Sequence, residues 1–127
     1  MKRDISAALL KWKDSEDRMP LLLTGIRQCG KTYIMQEFGK TEFNGDYAYF
    51  NFEQNSALSD FFVYDLDPLR ILDELRIVNG KPITPGKTLL IFDEIQTCVP
   101  AITSLKYFCE QIPELHVICA GSLLGVT

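Results

Sequence analysis

The chain has 127 residues, 46% of them apolar and 24% charged, with a formal net charge of −4. This is the balance of one globular domain, and it excludes a disordered tail, a collagen-like repeat and a disulfide-stapled miniprotein. No apolar run reaches the ~18–20 residues of a membrane span. Met1-Lys2-Arg3-Asp4 leads into no signal-peptide run, and an acidic chain has no general attraction for a phosphate backbone. Neither a membrane nor a nucleic acid is therefore expected as a partner, and the expected compartment is the cytoplasm.

Asp4 reads as the cap of a helix carrying Ile5, Ala8, Leu9 and Trp12 on one face. Leu21 to Thr24 is an all-apolar run bounded by Pro20 and Gly25, which suits a strand buried on both faces. A helix beginning near Lys31 turns Ile34, Met35 and Phe38 inward and is expected to stop at Gly39. Tyr47 to Phe52 reads as a second strand. Asp67-Pro68 opens a helix with Leu69, Leu72 and Leu75 at spacing three, and Gly80 closes it. Thr88 to Phe92 is a third strand. Pro100 to Ile112 is a helix with Ile102, Leu105 and Cys109 on one face, and His116 to Ala120 is a fourth strand. Phe50, Phe52, Phe61, Phe62 and Tyr64 are expected in the core. Strands alternating with helices imply an α/β fold with a mainly parallel sheet covered by helices.

The strongest chemical signal is Gly25-Ile26-Arg27-Gln28-Cys29-Gly30-Lys31-Thr32, which fits G-x-x-x-x-G-K-[ST]. Two glycines let the backbone curl so that several N–H groups face one phosphate, and the following helix adds its positive N-terminal end. Lys31 supplies a cation for the β- and γ-phosphates, and Thr32 Oγ1 a ligand for Mg²⁺. The candidate nucleotide-binding residues are Gly25, Ile26, Arg27, Gln28, Cys29, Gly30, Lys31, Thr32 and Tyr33. Within this loop Arg27 serves a γ-phosphate or a structural salt bridge, and Cys29 packs or carries a lowered pKa.

The second signal is the apolar strand Leu89-Leu90-Ile91-Phe92 ending in Asp93-Glu94. Downstream of a phosphate loop, Asp93 is the candidate Mg²⁺ residue. Glu94 is the candidate acceptor for the proton of an attacking water, its ordinary alternative being a solvated loop carboxylate. The third signal is the strand ending in Gly121-Ser122. Ser122 either hydrogen-bonds the γ-phosphate or the attacking water, or caps a turn. The candidate catalytic residues are thus Glu94, Lys31 and Ser122, and the candidate metal residues Thr32 and Asp93. His116 is expected to start a strand. The four cysteines lack metal-ligand spacing and are expected as reduced apolar side chains.

GIRQCGKT, YAYFNFE, LLIFDEIQ and CAGSLLG together resemble the prokaryotic AAA-type P-loop ATPases in which the ATPase domain is followed by a C-terminal domain of unknown function. The resemblance runs from Trp12 to Gly125. It implies a P-loop NTPase fold, a three-layer α/β/α arrangement with strand order 1-4-3-2, in which Ser122, Asp93 and Glu94 surround one phosphate. It implies an ATP hydrolase rather than a kinase. Family members continue past Thr127 with a further strand, a helical lid and the second domain, so residues 1–127 are expected to be the N-terminal part of the ATPase domain. The cofactors expected are ATP and Mg²⁺, and the expected partners are the missing C-terminal domain and a homo-oligomer. A nucleotide-gated switch with little turnover is the alternative; that no arginine follows Arg76 favours low activity of residues 1–127 by themselves. A small-molecule kinase is a third reading, for which the sequence shows no acceptor pocket.

Overall fold

In the computed structural model, residues 2–24 and 28–121 are described, with side chains from 5–24 and 30–121. The elements in chain order are α1 (Lys2–Asp14), β1 (Leu21–Leu23), α2 (Gln28–Glu42), β2 (Tyr47–Asn51), a 3-10 helix (Ser56–Phe62), α3 (Pro68–Asn79), β3 (Leu89–Asp93), a 3-10 turn (Ile95–Thr97), α4 (Val99–Gln111) and β4 (His116–Ala120). The strands form one sheet in the order β1-β4-β3-β2. Every pair is parallel, with Leu21 opposite Ile118, Leu89 opposite His116 and Tyr47 opposite Leu89.

Period-two alternation divides β2, β3 and β4 between two cores, while β1 packs Leu21 and Leu23 on one of them. On one face Leu89, Ile91, Ile118 and Ala120 meet Leu9 of α1 and Met35 and Phe38 of α2. On the other, Leu90, Phe92, Val117 and Cys119 meet Ile71, Leu72 and Leu75 of α3 and Phe108 of α4. This is the three-layer α/β/α arrangement of a parallel P-loop sheet. All of β3 and β4 is buried, as strands covered on both faces require. No helix among the described residues is long and apolar enough to cross a membrane.

Several local expectations are corrected. The first helix already begins at Lys2, so Asp4 lies inside it rather than capping it. Helix α2 begins at Gln28 and runs through Gly39 to Glu42. Gly39 is there for close approach: a β-carbon would stand 2.7 Å from Tyr47 Cγ. The Asp67 cap, Pro68 and the left-handed Gly80 bound α3 as expected, but Leu69 is exposed and Ile71 takes the buried position. On α4 the buried stripe is Ala101, Ser104 and Phe108, one position back from the expected one. β1 is an edge strand and leaves Leu22 45% exposed. Tyr64 lies outside the core, whereas Phe50, Phe52 and Phe62 are in it.

The start of β4 is tied to α1. Arg18 donates to the Pro113 and Glu114 carbonyls and to those of Lys13 and Ser15. His116 packs edge-on to Trp12 and Phe43, with Nε2 3.3 Å from the Lys13 carbonyl. Cys98, Cys109 and Cys119 are free thiols. Full burial pushes the Cys119 thiol far above the ordinary range.

Candidate functional site

The carboxyl ends of β3 and β4 lie side by side, and the first turns of α2 stand over them. Parity decides what meets there. Asp93 shares the face of Leu89 and Ile91, so it turns toward α2. Tyr49 and Asn51 of β2 share that face, with Asn51 opposite Asp93.

Thr32 Oγ1 donates to Asp93 Oδ2 at 2.5 Å. Tyr49 Oη donates to the same oxygen at 2.6 Å. The other oxygen, Oδ1, accepts from the Glu94 backbone N–H at 3.0 Å. Asp93 is only 2% exposed, so these donors compensate a carboxylate removed from water. Tyr49 is held in turn by Asn51 Nδ2 at 3.2 Å. Asn51 Oδ1 accepts from the Glu53 and Gln54 N–H groups at 2.9 and 3.0 Å. Burial, followed by the bond to Asp93, raises the Tyr49 pKa above its ordinary value.

Lys31 is 4% exposed, and its Nζ donates to the Gly121 carbonyl at 2.9 Å. A buried ammonium bonded to a neutral carbonyl forms a stronger, charge-assisted bond where it meets an anion.

Glu94 is 5% exposed and is not a solvated loop carboxylate. Its backbone is left-handed, at φ 54° and ψ 43°, which costs a non-glycine residue about 1–2 kcal/mol. The turn that follows holds it there: Thr97 N–H and Oγ1 donate to the Glu94 carbonyl at 3.3 and 2.9 Å. Gln96 Nε2 donates to Glu94 Oε1 at 2.8 Å. Strain of this kind concentrates at functional sites.

Thr32 hydroxyl and Asp93 carboxylate are hard oxygen donors, a set that suits Mg²⁺ better than a thiophilic metal. Among the described residues there is no cluster of three or more His, Cys, Asp or Glu able to hold a metal alone.

Lys31, Thr32, Asp93 and Glu94 are therefore brought together. Tyr33 follows Lys31 and Thr32 on α2 and is half exposed. Gly30, Gln28 and Cys29 lie in the first turn of α2. Gly25, Ile26, Arg27 and Ser122, and the side chains of Gln28 and Cys29, lie outside the described residues. Sequence reasoning missed Tyr49, Asn51 and Gln96. Spacing alone marks the first two as polar groups on one face of β2 near its carboxyl end. For Gln96 the only signal is its place two residues after Glu94.

No curated protein matches the chain. The family model described as an AAA domain matches residues 17–127. The chain belongs to the AAA domain family, whose members are nucleotide-binding modules of the ATPase type.

Proposed function

We propose that this chain is the Mg²⁺-dependent ATP-binding and hydrolysis module of a larger AAA-type ATPase. The observation that carries the reading is the convergence of Lys31, Thr32, Asp93 and Glu94 at the carboxyl end of one parallel sheet. The chemistry that bound Mg²⁺ supplies is neutralisation of charge on the β,γ-phosphate oxygens. Lys31 leaves the Gly121 carbonyl and binds the β- and γ-phosphates. Thr32 Oγ1 would hold the metal through a lone pair while its O–H goes on donating to Asp93 Oδ2, so that bond would orient the hydroxyl. Asp93, held by Tyr49, would face the metal's water shell. Glu94 orients a water in line with the γ-phosphate and accepts its proton. Ser122 is assigned to the γ-phosphate or that water, and the loop from Gly25 to Tyr33 to the phosphates.

The test is phosphate release by the full-length gene product beside Glu94→Gln. The expected result is turnover in the wild type, and ATP binding without turnover in the variant. A wild type that binds ATP and releases no phosphate, even when oligomeric, overturns the hydrolase reading in favour of a nucleotide-gated switch. The further partners assigned are a C-terminal domain of the same protein and a second copy of the chain, and the compartment is the cytoplasm. Sedimentation of the full-length product with and without ATP checks the second copy.

A further inference from the structure

Gln96 stands between two parts of the site. Its Nε2 donates to Glu94 Oε1 at 2.8 Å. A carboxylate oxygen accepts, so the amide nitrogen faces Glu94 and the carbonyl end of the carboxamide faces away. That end lies against Gly121. A β-carbon built on Gly121 would sit 2.7 Å from Gln96 Oε1, and 3.4 Å from Ile95 Cγ2. Gly121 is also the residue whose carbonyl takes the Lys31 ammonium at 2.9 Å. One carboxamide thus fills the gap between Glu94 and the strand-end glycine that holds Lys31.

The backbone explains why Glu94 needs such a partner. Its left-handed conformation leads directly into the turn Ile95–Thr97, and the residue is buried, so its carboxylate must find a donor. Gln96 is that donor, and it engages only one of the two carboxylate oxygens in this bond.

We propose that Gln96 is a positioning residue for Glu94. Its amide fixes Oε1, leaving Oε2 for the attacking water, and Gly121 is glycine because a side chain there would displace the amide. The inference rests on the reading of Glu94 as the proton acceptor in ATP hydrolysis.

The test uses the full-length product with Mg²⁺ and ATP. Gln96→Met keeps the volume and removes the donor. It is expected to lower kcat tenfold or more, ~1.4 kcal/mol or more in the barrier, with KM and the Kd for Mg²⁺-ATP within about twofold. Gln96→Ala is expected to do the same. Gly121→Ala displaces the amide from the other side and lowers kcat similarly. In the Gln96→Ala background it costs nothing further, because the methyl then enters vacated space; the two losses are non-additive. A Gln96→Met protein with wild-type kcat, a loss confined to KM, or additive losses in the double variant each overturn the proposal. A wild type that releases no phosphate is a separate outcome: it overturns the hydrolase reading on which the proposal rests.

Discussion

Thr32 and Asp93 are 61 residues apart in the chain, and their side chains meet at 2.5 Å. The bond joins the first turns of α2 to the end of β3 across the carboxyl edge of the sheet. Asp93 Oδ2 also takes the Tyr49 hydroxyl, so one oxygen gathers donors from α2 and β2. The candidate metal pair is thereby held together by the protein's own hydrogen bonds, and preorganisation of this kind lowers the ordering cost of binding.

Thr32→Ala removes one donor to Asp93 and the hydroxyl ligand together. In the presence of Mg²⁺, ATP affinity is expected to fall about tenfold or more, ~1.4 kcal/mol. In EDTA the variant and the wild type are expected to bind alike. Calorimetric titration with and without Mg²⁺ measures both, and an equal loss in the two conditions would sink the assignment of Thr32 to the metal.

Tyr49→Phe deletes a hydrogen bond to a buried carboxylate, and a loss of about 1.5–3 kcal/mol is expected. The pH dependence has a definite sign. The Tyr49 pKa is raised in the folded state, by burial and then by Asp93. Its contribution is fully present below the unfolded value of about 10 and is lost as pH rises from there through the raised value. Urea unfolding at rising alkaline pH should therefore show a steeper loss of stability in the wild type than in Tyr49→Phe.

His116 behaves oppositely. Burial and then the Arg18 cation lower its pKa, outweighing its bond to the Lys13 carbonyl and the pull of Asp14. A histidine lowered on folding contributes stability above its unfolded pKa of about 6.5 and loses it as pH falls through the folded value. The Tm of the wild type is expected to drop on acidification below about pH 6.5 by more than that of His116→Phe. Parallel Tm curves for the two proteins would refute this.

Gly39 and Gly80 separate two uses of glycine. Gly39→Ala drives a methyl to 2.7 Å from the Tyr47 ring, next to the backbone where the ring cannot swing away. A net loss of about 1–3 kcal/mol is expected despite the better helix propensity of alanine. Gly80 has φ 72° with open space around it, so Gly80→Ala should cost only the left-handed strain, about 1 kcal/mol. Urea denaturation midpoints rank the two, and a stabilised Gly39→Ala would contradict the close packing of α2 on β2.

Local signals were legible where the physics is local. β4 spans His116–Ala120, the expected range, because a run of apolar residues bounded by turn residues has few other uses. Asp67, Pro68 and Gly80 bound α3 through backbone chemistry that no tertiary contact overrides. The stop expected at Gly39 did not hold, because the glycine answers to Tyr47, a residue of another element. The α4 stripe was misassigned by one position because its helix is apolar on more than one side, and only the layer it meets selects Ala101, Ser104 and Phe108.

The sequence by itself determined the G-x-x-x-x-G-K-T spacing, the apolar strands with carboxylates at the end of β3, and the alternation that makes an α/β sheet. These follow from short-range backbone geometry and from side-chain periodicity. Only the tertiary structure decided that Asp93 faces Thr32 and Tyr49, that Lys31 rests on Gly121, and that Glu94 takes a left-handed backbone held by Thr97 and Gln96. The strands are alike in composition, so register and neighbour are chosen by non-local pairing and by packing of the whole layer. A side chain such as Tyr49 or Gln96 acquires its role only when that pairing brings a distant partner within hydrogen-bond reach.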